Sequence, residues 1–184
     1  PVIVELGAHR GEEAAIFAEM VNGNGPLTHI MVEPDPINMG AIKNRLPGCR
    51  IIQCAIADSP GKRLFHFAKD NHEHRHFGSL LKPARRLHKY PRIRFGRMDY
   101  VECRTLDQIF DQEKLTHIDL LWVDIQGGER GMIQGGHRAL AQTHYCFMEA
   151  INGKEEYVGQ ALKPELIERM HGWELVVDFD FNIL

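Results

Sequence analysis

Two carboxylates follow an almost wholly apolar segment in the middle of the chain. Residues 118–125 read Ile-Asp-Leu-Leu-Trp-Val-Asp-Ile, so that Asp124 stands near the carboxyl end of the run. A Gly-Gly pair and Glu129 come shortly afterwards. Burying a carboxylate beside such a segment costs several kcal/mol unless the group is paired or used, which makes Asp124 a candidate catalytic residue. Glu129 is the second candidate, and its other interpretation is a favourable charge at the start of a helix.

A glycine-containing turn forms the second candidate site. The apolar segment Val2–Leu6 runs directly into Gly7, and Gly11 follows before a helical stretch. Glycine lets the backbone turn tightly and lets a ligand approach without meeting a Cβ. The spacing differs from Gly-x-Gly-x-x-Gly, which favours a ligand other than a dinucleotide. Glu5 would accept a hydrogen bond from a cationic amine on this ligand, and a tight turn without function is the alternative interpretation.

A third carboxylate ends the second apolar segment. Glu33 lies 22 residues after Gly11, and an acidic side chain at the tip of a second strand is placed to accept hydrogen bonds from both hydroxyls of a ribose. A surface carboxylate at a strand end is the alternative. The third apolar segment, Arg50–Ala55, leads towards Asp58. Ala55 is placed to face an adenine ring and Asp58 to lie near its exocyclic amine, although packing alone explains Ala55 equally well.

The elements that must carry these residues alternate along the chain. The segments with the short apolar pattern of strands are Val2–Leu6, His29–Glu33, Arg50–Ala55, Ile118–Ile125, Tyr145–Ile151 and Trp173–Phe181. Helices are predicted over Glu12–Val21, Asp35–Leu46, Thr105–Lys114, Glu129–Gly135 and Pro164–His171. Continuously apolar strands are typical of a parallel sheet that is covered by helices. The sequence therefore predicts an α/β fold with a doubly wound, mostly parallel sheet and helices on both faces.

Length and composition predict one domain over residues 1–184. Hydrophobic residues make up 43% of the chain and charged residues 26%, which is ordinary for globular proteins. No apolar run approaches the ~18–20 residues that a membrane span needs. The four cysteines lack the spacing of a metal site or a disulfide framework, which fits a reducing cytoplasm. Because the chain opens on a strand-like run at Pro1, we expect further residues to precede it.

Basic residues are concentrated in one stretch. Residues 61–104 carry 12 Lys and Arg against 4 Asp and Glu, whereas the whole chain has a net charge of −3. Two interpretations stand side by side: recognition of an anionic substrate or partner, with Arg85, Arg86, Lys89 and Arg92 as the testable cations, and a solvated insertion. The least regular part, residues 69–96, is a candidate insertion or lid. No motif for duplex nucleic acid is present, so no such partner is expected.

Three histidines at alternate positions, His72, His74 and His76, have the spacing that would bring them to one side of a strand. The surrounding segment is irregular, polar and basic. A metal site is therefore not predicted there. These imidazoles could equally help to bind a phosphate group.

The motifs follow one another over nearly the whole chain, from Val2 to about Trp173. In order they read V-E-L-G-A-H-R-G, V-E-P-D-P, C-A-I-A-D-S-P-G-K, T-L-D-Q-I-F, I-D-L-L-W-V-D-I-Q-G-G-E-R-G-M-I-Q-G-G, E-A-I and Y-V-G-Q-A-L. This series resembles the FkbM family of S-adenosylmethionine-dependent methyltransferases. The departures are Trp122, where many members carry Lys, and Gly128, where Ala is usual.

The resemblance implies a Rossmann-like methyltransferase sheet, S-adenosyl-L-methionine as cofactor and a set of site residues. Its implied contacts with the methionine part of the cofactor are Glu5, Gly7, Ala8 and Gly11. It further implies Glu33 at the ribose and Ala55 with Asp58 near the adenine. Tyr157 and Gln160 match a motif that borders the acceptor pocket, although packing at a helix start explains them as well.

The expected activity is O-methylation of a hydroxyl on a small-molecule or glycan acceptor: a sugar, a lipid or a metabolite. A hydroxyl is a poor nucleophile unless its proton is removed as it attacks, so an oxygen acceptor requires a general base. The candidates are Asp124, Glu129, Glu149 and a histidine. Asp124 is favoured, its alternatives being cofactor binding or a divalent cation. Two other functions stay open: a non-catalytic binding module on a nucleotide-binding fold, and an NAD-type oxidoreductase.

Overall fold

The structure is a computed structural model that describes residues 1–21, 25–69, 77–84 and 93–178. Its strands are β1 (Val2–Leu6), β2 (Thr28–Val32), β3 (Arg50–Ile52), β4 (Ala55–Ile56), β5 (Gly61–Lys69), β6 (Arg94–Arg104), β7 (Ile118–Val123) and β8 (Thr143–Met148). Its helices are α1 (Glu12–Val21), α2 (Pro36–Arg45), α3 (Leu106–Gln112), α4 (Glu129–Gln134), α5 (His137–Ala141) and α6 (Lys163–Arg169).

The principal sheet has five strands in the order β3-β2-β1-β7-β8. All of its pairings are parallel. One face packs on a large apolar core that includes Leu6, Leu121 and Met132, and the other face packs on a smaller cluster formed by Ala14 of α1, Met31 and Ile42 of α2. Helices therefore cover both faces, and the predicted doubly wound α/β fold is confirmed.

A second sheet of three strands stands beside the first, in the order β4-β6-β5. Strands β5 and β6 pair antiparallel, with a register shift between Phe67 and Ala68. The predicted strand Arg50–Ala55 is divided between the two sheets, because the chain leaves the principal sheet after Ile52 and joins the second one at Ala55. The sequence did not predict β5 and β6, because charged residues on their exposed sides interrupt the apolar pattern.

The segment 69–96 begins at the last residue of β5 and ends inside β6, so it joins two antiparallel neighbours. Residues 77–84 of this segment are joined to the rest of the chain by two isolated β-bridges, one between Ser79 and His66 and one between Pro83 and Tyr157. The three alternating histidines and the four cations Arg85, Arg86, Lys89 and Arg92 lie outside the described residues. The role of the segment as a lid remains a prediction.

The strand expected at Trp173–Phe181 is wrong as far as the structure describes it, to residue 178. Residues 173–178 have no strand pairing, and the side chains of Leu175, Val176 and Val177 are exposed. A run of β-branched residues favours an extended backbone, but a strand also needs a neighbouring strand to complete its hydrogen bonds. In the described part of the chain, no helix is long and apolar enough to cross a membrane.

Helix α3 begins at a complete capping box, at the start of the helix predicted over Thr105–Lys114. Gln108 N donates to the Thr105 hydroxyl at 3.1 Å, and Thr105 N donates to the Gln108 Oε1 at 3.1 Å. The two side chains thereby satisfy backbone N–H groups that would otherwise lack partners.

Replacement of Thr105 by Ala is expected to lower the free energy of unfolding by about 1 kcal/mol, because the cap hydroxyl is lost. Thr105→Ser keeps the hydroxyl and serves as the matched control. Urea unfolding of the three proteins measures the effect. Equal losses in the Ala and Ser variants would show that the methyl group, and not the cap, stabilises the helix.

Candidate active site

The strand order reverses between β1 and β7, because the chain continues from β1 to β2 and β3 on one side and to β8 on the other. Open α/β sheets bind ligands at the carboxyl ends of strands at such a point. Gly7 follows β1 and Asp124 follows β7, and Asp124 N donates to the Leu6 carbonyl at 3.0 Å. A Cβ on Gly7 would stand 1.9 Å from the Asp124 carbonyl oxygen, and the Gly7 φ is +83°. Only glycine fits this position.

A pocket opens at this point of the sheet. The space within it, together with the open solvent at its mouth, amounts to about 660 Å³. The strand-end residues that line it include Gly7, Glu33 and Asp124. Its apolar wall comes from the β3–β4 connection, β4, β5 and the 77–84 segment, and consists of Cys54, Ala55, Ile56, Phe65, Phe67, Gly78 and Leu80.

Glu33 lies in the wall of this pocket and is almost completely buried. Its Oε1 accepts hydrogen bonds from Asp35 N at 2.8 Å and from the Asn38 amide at 3.2 Å, and its Oε2 accepts one from His9 N at 2.9 Å. Burial raises the pKa of Glu33 to about 8, and these donors oppose the rise. An ionised carboxylate has about four acceptor positions, and these three donors occupy two on Oε1 and one on Oε2.

Asp124 also lines the pocket and has a second carboxylate beside it. Burial raises the pKa of Asp124, and the negative charge of Glu149 raises it further. The Gln126 side-chain amide nitrogen donates to Asp124 Oδ1, and to Glu149 Oε2 at 3.0 Å. Glu149 directly follows β8, and Glu149 N donates to the Val123 carbonyl at 2.9 Å. The structure thus brings together two of the predicted base candidates.

Glu129 is fully buried but is not among the pocket-lining residues. Its Oε1 accepts a hydrogen bond from Gly127 N at 3.2 Å. Its Oε2 has no hydrogen-bond partner among the described residues. Burial raises the pKa of Glu129 to about 7. The carboxylate therefore braces the turn that carries Asp124, and a direct catalytic role of Glu129 remains a prediction.

Three residues assigned by resemblance to the methionine part of the cofactor, Glu5, Ala8 and Gly11, are not among those that line the pocket. Glu5 is buried within the sheet, and its Oε2 lies 3.0 Å from the His29 Nε2. Burial raises the pKa of Glu5, and the hydrogen bond from His29 opposes this. Ala8 is part of the small apolar cluster, and Gly11 packs close to Ile42.

The two residues expected near an adenine have different surroundings. Ala55 is buried and lines the pocket. Asp58 is about half exposed and forms an ion pair with Arg63, whose guanidinium lowers the pKa of the Asp58 carboxyl. The aromatic wall beside Ala55 was missed: Phe65 and Phe67 stand edge to face, with ring centroids 4.8 Å apart. Their alternate positions in one strand were the available signal, because alternate residues face the same side.

Gln126 was also missed as a site residue. It is buried, has a φ of +53° and lines the pocket. Tyr157 and Gln160, expected at the acceptor pocket, do not line the described pocket. The Tyr157 hydroxyl lies 3.0 Å from the Gln126 Oε1. A Cβ on Gly127 would contact the Gln160 side chain at 3.4 Å. Both residues thus pack against the turn that follows Asp124.

Fold and pocket together define an α/β protein with a pocket at the switch point of its sheet. Residues 5–177 match the model of the methyltransferase FkbM domain, and the chain belongs to this family. It is 30% identical over 190 aligned residues to the 2-O-methyltransferase NoeI of Sinorhizobium fredii (strain NBRC 101917 / NGR234), an alignment that covers 97% of this chain and 74% of the relative. No solved structure matches the chain.

The chain is therefore an O-methyltransferase, as the sequence predicted, and its activity requires a methyl donor. This assignment removes the oxidoreductase and the non-catalytic module as alternatives. A small-molecule or sugar acceptor agrees with the relative that it resembles.

We expect Glu129→Gln to make stability less dependent on pH. Burial raises the pKa of Glu129 from an ordinary value of 4.5 to about 7. The stabilisation by the protonated form is complete below the unfolded pKa and is lost as the pH rises through about 7. The variant and the wild type should therefore differ little at pH 5, and the variant should be more stable at pH 8 by up to about 3 kcal/mol. Urea unfolding between these pH values measures the difference.

Glu168→Gln, on the exposed side of α6, is the matched control for this experiment. Parallel stability profiles for wild type and Glu129→Gln would contradict the burial of an ionisable Glu129.

Proposed function

We propose that the protein transfers a methyl group from S-adenosyl-L-methionine to a hydroxyl oxygen of a sugar or a related polyol, with Asp124 as the general base. The observation that carries this proposal is the meeting of Gly7, Glu33 and Asp124, which follow three neighbouring strands, in one pocket. S-adenosylmethionine supplies a methyl group on a positively charged sulfur, which an oxygen nucleophile can take directly.

The pocket suits the chemistry of this donor. The remaining acceptor position on Glu33 Oε2 would take a ribose hydroxyl, whereas the donors on Oε1 already fill that oxygen. Because only one position remains, we propose that Glu33 holds one ribose hydroxyl and not both. Ala55, Phe65 and Phe67 offer the flat apolar surfaces that an adenine ring needs. The exposed Asp58 is assigned to the rim of this part of the pocket.

Gly7 and Asp124 lie at the edge of the part of the pocket that is proposed for the methionine moiety. With no side chain at Gly7, a ligand can lie directly against the backbone there. Glu5 and Ala8 act from behind the pocket wall in this proposal: Glu5 supports β1 through His29, and Ala8 supports the loop through apolar packing. Gly11 lets the chain turn into α1 with a φ of +75°.

Asp124 is proposed to take the proton of the acceptor hydroxyl as the oxygen attacks. Asp124 is one of the residues that line the pocket, while Glu129 and Glu149 are not. Burial and Glu149 raise the pKa of Asp124, and a base with a raised pKa removes a hydroxyl proton more effectively than an ordinary aspartate. The apolar wall excludes water from the same space. The chemistry requires no bound metal for this proton transfer.

The acceptor class rests on the relative NoeI, whose name describes a 2-O-methyltransferase. Methylation at a numbered oxygen indicates an acceptor with several hydroxyl groups, and we propose a sugar for this chain as well. The basic residues of the second sheet, among them Lys62, Arg63 and Arg97, make an anionic sugar the variant of this proposal that an acceptor panel should include. We place the protein in the cytoplasm, where its four free thiols would stay reduced.

Glu33→Ala should weaken binding of S-adenosylhomocysteine by roughly 1–3 kcal/mol, because a hydroxyl of the ligand loses its buried acceptor. Isothermal titration calorimetry measures the affinity. Glu33→Gln preserves the shape and serves as a second variant, with thermal unfolding as the check that each protein is folded. Glu168→Ala, on an exposed surface, is the control. Unchanged affinity in both Glu33 variants would reject the ribose role.

Asp124→Asn should lower the rate of methyl transfer by about 10²–10⁴-fold, because the amide cannot accept the proton. The assay uses labelled S-adenosylmethionine with a panel of monosaccharides, their methyl glycosides and their phosphate and sulfate esters. Asp99→Asn, exposed on β6, is the matched control. Binding of S-adenosylhomocysteine should persist in Asp124→Asn, and its loss would instead assign Asp124 to the donor.

The pH dependence gives a second readout of the same assignment. The base must be deprotonated to act, and its pKa is raised, so the wild-type rate should increase with pH towards neutrality and above. The residual rate of Asp124→Asn should lack this limb. A wild-type profile that is already flat from pH 5 would contradict a buried aspartate as the base.

A further inference from the structure

Gln126 contacts the proposed base and three other parts of the chain. Its amide nitrogen donates to Asp124 Oδ1 and to Glu149 Oε2, the latter at 3.0 Å. Its Oε1 accepts from the Tyr157 hydroxyl at 3.0 Å. Its backbone carbonyl accepts from the Ser79 hydroxyl at 2.7 Å. Both ends of this buried residue are therefore held.

The orientation of the Gln126 carboxamide follows from its partners. A primary amide has two N–H donors, and here one is directed to each of the two carboxylates. If the amide were rotated by 180°, its carbonyl oxygen would face both carboxylates. The Tyr157 hydroxyl stabilises the observed orientation because it donates to the amide oxygen. The same hydroxyl lies 3.0 Å from the Phe77 carbonyl, so its proton is shared between two acceptors.

The backbone at Gln126 supports the same conclusion. Its φ of +53° is left-handed, a conformation that residues with a side chain rarely adopt unless their surroundings hold them there. The surroundings here are close. A Cβ on the neighbouring Gly127 would contact the Leu81 side chain at 3.2 Å and the Gln160 side chain at 3.4 Å.

We propose, building on the function proposed above, that Gln126 is a positioning residue that holds Asp124 and Glu149 as one unit, and that Tyr157 acts on this unit through the Gln126 carboxamide. Tyr157 does not line the pocket, so its effect on the base is indirect. Gln126 also connects the base to the pocket wall. The 77–84 segment contacts Gln126 through Ser79 and carries the pocket residues Gly78 and Leu80.

The charged surroundings of Asp124 come from several elements. Besides burial, the negative charges of Glu149, which follows β8, and of Glu13 in α1 raise the pKa of Asp124. Glu129 of α4 is also close enough for charge repulsion with Asp124. His9, from the loop after β1, lines the same pocket. These neighbours are mostly negative and disfavour a charged Asp124, whereas hydrogen bonding from the Gln126 amide favours the ionised form and opposes the rise in its pKa.

The test is a pH titration of the Asp124 carboxyl carbon by NMR in the free protein. Tyr157→Phe keeps the buried ring and removes the hydroxyl, and Gln126→Met keeps the length and removes both N–H donors. Gln126→Met should move the Asp124 midpoint upward by about one pH unit, because the ionised form loses its N–H donor. Tyr157→Phe should move the midpoint in the same direction, because the Gln126 carboxamide is no longer held with its N–H groups towards the two carboxylates. The matched controls are Tyr145→Phe and Gln142→Met, at exposed positions, which should leave the midpoint unchanged.

The double variant Tyr157→Phe/Gln126→Met decides whether Tyr157 acts through Gln126. If it does, the double variant should titrate as Gln126→Met alone, whereas independent effects would add. An additive shift, or an unchanged Asp124 midpoint in Tyr157→Phe, overturns the proposal. Thermal unfolding checks that each variant is folded, and Tyr157→Phe decides the matter if Gln126→Met does not fold.

The titration needs neither donor nor acceptor, so its failure differs from failure of the proposed function. If the Asp124 midpoint shifts in the variants as expected but S-adenosylhomocysteine does not bind, only the proposed function is overturned. If the protein binds the donor and transfers the methyl group but the Asp124 midpoint does not shift in the variants, only this inference is overturned.

Discussion

The close approach of two backbone segments at the switch point is the constraint on which the site depends. Gly7, after β1, lies so near the Asp124 carbonyl that a side chain at position 7 has no room. The hydrogen bond from Asp124 N to the Leu6 carbonyl extends the pairing of β1 and β7 to this point. The pairing therefore fixes where the Asp124 carboxylate stands relative to the glycine turn. The proposed methyl transfer depends on this arrangement, because the methyl donor and the base must lie in the same small space.

Buried carboxylates are the second feature of the site, and each one is accommodated differently. Glu33 receives backbone and side-chain N–H donors, Asp124 receives an amide donor beside a second carboxylate, and Glu129 accepts from the turn that it braces. Burial raises the pKa of all three. Such a concentration of raised pKa values is typical of functional sites, where burial and neighbouring charges shift the protonation of carboxyl groups.

The apolar pattern was enough to predict the five strands of the principal sheet and the helices that cover it, with the exception of α5. It failed where pairing or exposure decides the outcome. Val176 and Val177 have the residue type of a strand but no pairing within the described chain, whereas Phe65 and Phe67 lie in a strand whose charged neighbours obscure its pattern. The candidate site shows the same division. Glu33 and Asp124 could be singled out because each ends an apolar run, while the contacts of Gln126 are with Tyr157 and Ser79, which are distant from it in sequence.

By itself the sequence determined the α/β class, because hydrophobic periodicity is a local property. Its ordered motifs resembled one family, and the glycines and carboxylates at the ends of apolar runs were its candidate site residues. Only the tertiary structure decided which of these residues share the pocket. It separated Gly7, Glu33, Ala55 and Asp124, which line the pocket, from Glu5, Ala8, Gly11 and Glu129, which do not. The physical reason is that side-chain direction and hydrogen-bond partners depend on how neighbouring strands and loops pack. That packing joins residues far apart in the chain, such as Gln126 and Tyr157.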